Sequence, residues 1–120
     1  MPAIRLVLTT LPDAETAGVL ARGLVESGLA ACVNVLAPCR SVYRWQGAVQ
    51  EDGEVPLFIK TTAELYPALE NHLRERHPYA LPEIVALDVA AGSPEYLRWV
   101  AQSTSIRPDE RPSGGASTQT

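Results

Sequence analysis

The first part of the chain changes from a strand-like to a helix-like hydrophobic pattern. Residues 3–10 alternate and are rich in branched side chains, which predicts a first strand. Apolar residues then recur at helical spacing over residues 14–27, which predicts a first helix. Gly28 suits the left-handed position that follows a helix end. The chain therefore begins with a strand followed by a helix.

The middle of the chain has the pattern of a long hairpin. Residues 31–36 and 40–45 are typical of extended chain, and a further extended segment returns from Val55 to Thr61. Two dipeptides between them supply turn residues, Gln46-Gly47 and Asp52-Gly53. The pattern does not decide which of the two closes the hairpin.

The second half repeats the alternation of helix and strand. Thr61-Thr62-Ala63-Glu64 matches a capping box, so a second helix is predicted from there to about Arg76. Residues 83–89 are apolar and branched, which predicts another strand. Ser93-Pro94-Glu95 is a typical helix opening, with a capping side chain followed by proline, so a short helix should follow it.

The order of these elements is β-α-β-β-α-β followed by a short C-terminal helix. It predicts an α+β, ferredoxin-like sandwich in which an antiparallel sheet carries both main helices on one face. An extended hairpin joins the second and third strands of that order. We expect one domain over residues 1–103. The remaining residues, 104–120, are rich in Pro, Ser, Gly, Thr and charge, which predicts a disordered polar tail.

The predicted strands are apolar on both faces. In the first strand Leu6 and Leu8 alternate with Val7, and in the return strand Leu57 and Ile59 alternate with Phe58. The helices can cover only one face of the sheet, and the chain has no further layer. We therefore expect symmetric association of copies through the open face and the long hairpin.

Composition narrows the function classes. The net charge is −4 and the ten Lys and Arg residues are scattered, so a nucleic-acid partner is not expected. Apolar runs are too short to span a membrane, and the N-terminus lacks the pattern of a secretory signal, so we expect a cytoplasmic protein. The two cysteines do not have zinc-site spacing, and no catalytic constellation is evident, so an enzyme is not expected.

Four motifs carry a resemblance to a known family. They are Leu29-Ala30-Ala31-Cys32-Val33-Asn34, Ser41-Val42-Tyr43-Arg44-Trp45-Gln46-Gly47, Lys60-Thr61-Thr62, and His77-Pro78-Tyr79 through Pro82-Glu83-Ile84. With these motifs in this order, the sequence resembles the CutA divalent-ion tolerance family from about Leu6 to Trp99. The resemblance implies a ferredoxin-like protomer, a homotrimer with strands extended across subunit boundaries, and a role in tolerance of copper and other divalent ions.

The resemblance also implies metal ligands. Relatives with assigned ligands use a cysteine late in the first strand and a histidine pair before Pro-Tyr. Here Thr9 occupies the cysteine position and Arg76 the first histidine, which leaves His77 as the matching ligand. A hydroxyl and a guanidinium are poor replacements at a copper site, where thiolate and imidazole are preferred.

Two cysteines are further candidate ligands for copper or a similar cation, and no organic cofactor is expected. Cys32 lies in an apolar strand and is expected to be a core residue, with metal binding as the alternative. Cys39, between Pro38 and Arg40, is expected to be exposed, where the nearby guanidinium could favour a thiolate. Metal capture by this thiol and the absence of any role for it both stay open.

Four residues of the matched motifs are candidates for an interface or a cleft. Lys60 and Glu83 could do acid–base work, but an ion pair between subunits is the interpretation that we favour. Tyr79 belongs to the same set, and Trp45 is expected to be an interface anchor.

Two other functions fit the same fold class. One is a small-molecule-sensing or scaffold trimer resembling the nitrogen-regulatory signalling proteins, although a glycine-rich phosphate loop is missing. The other is a cysteine hydrolase that uses Cys32 and His77, which requires both side chains to converge in a cleft.

Overall fold

The structure is a computed structural model, and it describes residues 2–105. The elements are β1 (Ile4–Leu11), α1 (Ala14–Glu26), β2 (Cys32–Val35), β3 (Cys39–Trp45), β4 (Ala48–Thr62), α2 (Tyr66–Arg76), β5 (Val85–Asp88) and α3 (Pro94–Gln102). Residues 106–120, most of the predicted tail, lie outside the described residues. Among the described residues, no helix is long and apolar enough to cross a membrane.

The sheet has the ferredoxin-like strand order that the sequence predicts. Its strands lie in the order β2-β4-β1-β5, and every neighbouring pair is antiparallel. Side chains alternate across a strand, so each strand presents one set of residues to the helices and another to the opposite side. The fold is therefore an α+β sandwich with one face of the sheet left open.

The main core lies between the sheet and helices α1 and α2. It combines the helix-facing residues of β1 and β4 with the inward stripes of both helices. Its fully buried members are Val7, Leu11, Ala17, Leu24, Leu57, Ile59, Leu69 and Leu73. A smaller cluster of Ile4, Leu97 and Val100 fixes α3 against the start of β1. Burial of this apolar surface is the main favourable contribution to folding.

The opposite face of the sheet, which we call the open face, carries exposed and half-buried side chains. The strand pairing places these on it: Leu6, Leu8, Thr10, Cys32, Asn34, Pro56, Phe58, Lys60, Val85 and Leu87. Phe58, Val85 and Leu87 are 37%, 45% and 46% exposed. α3 covers the end of this face near Ile4, and the rest of it carries the exposed apolar side chains that the sequence predicts.

The long hairpin is formed by β3 and β4 and is closed by Gln46-Gly47. Both turn residues have positive φ angles, 51° and 83°, as a tight two-residue hairpin turn requires. Asp52-Gly53 is not a turn, because it is paired in register with β3 inside β4. The return strand therefore begins at Ala48 rather than at Val55, and the β3 half pairs with β4 outside the four-strand path of the sheet.

The capping-box prediction for α2 is wrong. Thr61 and Thr62 are the last residues of β4, and α2 begins at Tyr66. Tertiary contacts override the local signal, because the buried Thr61 hydroxyl donates a 2.7 Å hydrogen bond to the Leu29 carbonyl. Thr62 Oγ1 accepts a 3.2 Å hydrogen bond from the Leu65 N–H, so it caps the turn that precedes α2 rather than a helix that starts at Thr62.

Helices α1 and α3 begin where the sequence predicts. Asp13 caps α1 by accepting a 2.7 Å hydrogen bond from the Thr16 N–H, and hydrogen bonds from this backbone lower the pKa of its carboxyl group. Ser93 caps α3 through a longer bond of 3.5 Å to the Tyr96 N–H. His72 is buried within α2, because α2 packs that face against the core.

Gly28 provides the first testable prediction. It has a φ of 82°, and an added Cβ would lie 2.1 Å from the Ser105 carbonyl oxygen. Gly28→Ala should therefore lower the free energy of unfolding by about 1–3 kcal/mol, because it combines a strained backbone with a steric clash. Chemical denaturation measures this change.

Gly18→Ala is the matched control for Gly28→Ala. Gly18 lies within α1 and has no atom near the position of an added Cβ. This substitution should raise stability by about 0.5–1 kcal/mol, since alanine is the better helix former. Equal effects of the two substitutions would contradict the assigned role of Gly28.

Candidate functional site

His77 is held through both ring nitrogens at the end of α2. Its Nε2 lies 2.8 Å from the Thr10 carbonyl oxygen, and its Nδ1 accepts a 3.2 Å hydrogen bond from the Tyr79 N–H. An acceptor at Nδ1 and a carbonyl at Nε2 together assign the neutral tautomer with the proton on Nε2. Burial lowers the pKa of His77, which agrees with a neutral ring.

Glu54 lies beside His77 and links the hairpin to the rest of the protein. The Thr10 hydroxyl donates a 3.2 Å hydrogen bond to Glu54 Oε2, and Tyr79 is a second hydrogen-bond partner of this carboxylate. Cys39, at the start of β3, is directly opposite Glu54 in the strand pairing. We call Thr10, Cys39, Glu54, His77 and Tyr79 the hairpin-base cluster.

The hairpin-base cluster contains one carboxylate, that of Glu54, and one phenol group, that of Tyr79. Burial, followed by the hydrogen bond to Glu54, raises the pKa of Tyr79 well above its usual value. Further along the hairpin, Tyr43 donates a hydrogen bond to Asp52, and this bond is the main cause of the raised pKa of Tyr43. Asp52 and Glu54 are two positions apart in β4 and so share one face of the strand.

The other sequence candidates do not join this cluster. Trp45 lies at the outer end of the hairpin and is 41% exposed. Glu83 is exposed and precedes β5. Lys60 lies on the open face, where its Nζ is 2.5 Å from Asn34 Oδ1 and 4.0 Å from Cys32 Sγ. The interface and cleft roles of Trp45, Lys60, Tyr79 and Glu83 stay predictions.

The two cysteines are in different surroundings. Cys39 is exposed, as expected, and its Sγ lies 3.8 Å from the Ser41 hydroxyl. Cys32 is half-buried on the open face. The expectation that Cys32 belongs to the core is therefore wrong, because the alternation of β2 places Val33, and not Cys32, against the core.

The positions that the family resemblance assigns to metal ligands are occupied as follows. Thr9 is on the helix side of β1 and is 1% exposed, and its hydroxyl has no hydrogen-bond partner among the described residues. Arg76 is exposed at the end of α2 and forms a 3.4 Å ion pair with Glu75. Neither side chain supplies a donor suited to copper.

Cation binding by this cluster would need a change in the present contacts. Within residues 2–105, no group of three or more His, Cys, Asp or Glu side chains is placed to hold a metal ion. His77 could bind a cation through Nδ1 only by releasing the Tyr79 N–H. Cys39 and Glu54, which are opposite each other in the strand pairing, combine a soft thiol with a charged carboxylate.

Sequence reasoning missed Thr10, Glu54 and Asn34. Their contacts join strands that are far apart in the chain, and no local motif marks them. One signal was present, since Asp52 and Glu54 are acidic residues at alternate positions of an extended segment. With the correct hairpin turn, this alternation would have placed Glu54 opposite Cys39.

The strand order and the projecting hairpin define a ferredoxin-like protein of the CutA type. The family described as "CutA1 divalent ion tolerance protein" matches residues 5–103. The chain belongs to this family. A divalent-cation tolerance protein CutA from Thermus thermophilus is 48% identical over 99 residues, which cover 82% of this chain and 96% of that protein.

Some relatives are longer than this chain, whereas the match to the solved structures covers nearly their whole length. The protein CutA of Mus musculus is 43% identical over 85% of this chain, and the match covers 58% of that protein. The Thermus thermophilus Cut A1 structure has a TM-score of 0.83 and 47% identity, and the match covers 85% of this chain and 99% of that one. The Oryza sativa CutA1 structure has a TM-score of 0.84 and 39% identity, covering 87% and 95%.

Proposed function

We propose that this protein acts in tolerance of divalent cations as a cytoplasmic, non-catalytic homotrimer that binds copper or a similar cation. The family names point to divalent-cation tolerance. The observation that carries the assembly is the open face. Phe58 of β4 and Val85 and Leu87 of β5 are each more than a third exposed there, on either side of the apolar residues Leu6 and Leu8 of β1. Such a contiguous apolar surface is typical of a protein interface.

The hairpin gives the assembly a second contact surface. Val42, Tyr43, Trp45 and Val49 are each more than 40% exposed along β3 and the start of β4. Within the described chain, this part of the hairpin extends past the sheet without a helix packed on it. Aromatic side chains are frequent anchors of protein interfaces. A neighbouring copy supplies a surface for both the hairpin and the open face, and a closed ring of copies covers every such surface.

The cation site follows from the position of Cys39. This exposed thiol lies opposite Glu54, at the base of a hairpin that reaches toward the next copy in the proposed trimer. One chain supplies too few donors for a stable site, so a second copy completes the set of ligands. Thiolate ligands favour soft cations such as copper(I) over magnesium or calcium.

A copper(I) titration of the reduced protein tests the cation site. We expect saturable binding by the unmodified chain and at least a roughly tenfold loss of affinity in Cys39→Ser, because the thiolate is the preferred donor for this ion. Competition with a coloured copper(I) chelator measures the affinity.

Cys32→Ser is the matched control for the copper titration, since it removes the other thiol of the chain. Its affinity should stay close to that of the unmodified protein. Equal loss in both variants would contradict a site at Cys39. An assembled trimer without any copper binding would contradict the cation site and favour the small-molecule-sensing alternative.

A further inference from the structure

Cys32 and Lys60 form a thiol–amine pair on the open face. They are directly opposite each other where β2 pairs with β4, and Lys60 Nζ lies 4.0 Å from Cys32 Sγ. Both residues are half-buried. Lys60 is also the single lysine of the chain, whose other basic side chains apart from histidine are arginines.

Asn34 fixes the direction of the amine. Its Oδ1 accepts a 2.5 Å hydrogen bond from Lys60 Nζ. Asn34 and Cys32 are two positions apart in β2 and therefore share its open-face side. The long lysine side chain is thus held across β2, within a short movement of the sulfur atom. A positioned pair of this kind reacts faster than the same groups free in solution.

We propose that Cys32 and Lys60 form a reversible, peroxide-driven sulfenamide link between β2 and β4. The oxidant has to be as small as hydrogen peroxide, because the proposed trimer covers the open face. The Cys32 thiolate first attacks hydrogen peroxide, which gives a sulfenic acid and a hydroxide ion, and solvent protonates the hydroxide to water. Sulfur is thereby oxidised and peroxide is reduced. The amine nitrogen of Lys60 then attacks the sulfenic sulfur, and an S–N bond replaces the S–O bond. The sulfenic oxygen leaves as water, and the second ammonium proton goes to solvent.

The surroundings of the two thiols explain why the reaction is assigned to Cys32. The Lys60 nitrogen lies 4.0 Å from the Cys32 sulfur, where an amine can displace the oxygen of a sulfenic acid. The Cys39 sulfur faces the Ser41 hydroxyl at 3.8 Å instead, and a hydroxyl does not displace the oxygen of a sulfenic acid as an amine does. We therefore expect Cys39 to proceed to sulfinic acid, whereas Cys32 is protected from this irreversible step.

The link would also change the protein mechanically. β2 is a four-residue strand at the edge of the sheet, and a covalent bond to β4 prevents it from separating. Excess thiol attacks the sulfur, releases the lysine amine and restores both side chains. The pair would therefore act as a modification site that records peroxide exposure and is reset by cellular thiols.

Intact-mass measurement of the Cys39→Ser variant tests this inference. The variant removes the possibility of a Cys32–Cys39 disulfide, which would have the same mass. Treatment of the folded protein with a small excess of hydrogen peroxide should lower the mass of most chains by about 2 Da, and excess dithiothreitol should reverse the change. Trypsin should no longer cleave after Lys60 in the oxidised form.

The double variant Cys39→Ser, Lys60→Arg is the control, because it keeps the positive charge and removes the amine. It should gain about 16 or 32 Da, for sulfenic or sulfinic acid, and show no loss of about 2 Da. Oxygen gain without loss of about 2 Da in the single variant would overturn the proposal. The same loss in the double variant, or a covalent dimer, would also overturn it.

Discussion

Phe58→Glu is expected to convert the assembled protein into monomers while leaving the protomer folded. Phe58 is central to the open face, between Leu8 and Asn34 on the neighbouring strands. Because the Phe58 side chain is 37% exposed, a glutamate at this position would stay in contact with water in the single chain. In an interface the carboxylate would be buried without a partner, which costs several kcal/mol. Light scattering together with circular dichroism measures both outcomes.

Val19→Glu is the matched control for Phe58→Glu. Val19 is a still more exposed apolar residue, at 70%, but lies on α1, on the helix side of the sheet. The same charge added there should leave the assembly intact. Assembly that survives Phe58→Glu, or that is lost equally in Val19→Glu, would show that the open face is not the surface that copies share.

The second large expected effect is a loss of folding stability in acid, and its cause is His72. This side chain is 9% exposed, and its Nε2 has no hydrogen-bond partner among the described residues. Burial, and to a smaller extent the charge of Arg76, lower the pKa of His72 from 6.5 to about 4, against the opposing effect of Glu75. Glu15 of α1 lines the same shallow depression as His72.

The sign of the effect follows from proton binding. Above pH 6.5 the ring is neutral in both states, so it contributes no pH dependence. Between pH 6.5 and 4 the unfolded chain binds a proton that the folded chain rejects, so stability falls as the pH falls. The loss due to His72 should reach about 2–3 kcal/mol at pH 4. The lowered pKa of His77 adds a loss of the same sign.

His72→Met separates this contribution from other acid effects. Methionine has a similar size, favours helix and cannot bind a proton. The variant should lose less stability than the unmodified protein between pH 6.5 and 4, as measured by urea denaturation at several pH values. Parallel pH profiles for the two proteins would exclude His72 as the group responsible.

Much of the fold was predictable because its signals are local. The alternation in residues 3–10 and the helical spacing in residues 14–27 each reflect one element packing against one core. The start of α2 was not predictable in this way. Thr61 and Thr62 match a capping box, but burial and the hydrogen bond to Leu29 keep them in β4. A long-range contact thus outweighed a local preference.

The candidate site was predictable only in part. His77 and Tyr79 could be found, since they occupy a compact motif that resembles the family. Glu54 could not, because its meeting with Thr10 depends on the exact pairing of β1 and β4. The prediction that Cys32 is a core residue was wrong for the same reason, its dependence on the strand pairing. An apolar segment shows that a strand is buried, but the side on which each residue lies depends on the register.

The native mass of the unmodified protein tests the central claim, that copies of this chain cover the open face and the hairpin. Native mass spectrometry or light scattering at micromolar concentration should give a single species of three chains, each of 12.9 kDa. A stable folded monomer with the mass of one chain would contradict the account, because its exposed apolar face and projecting hairpin would then have no partner of their own kind.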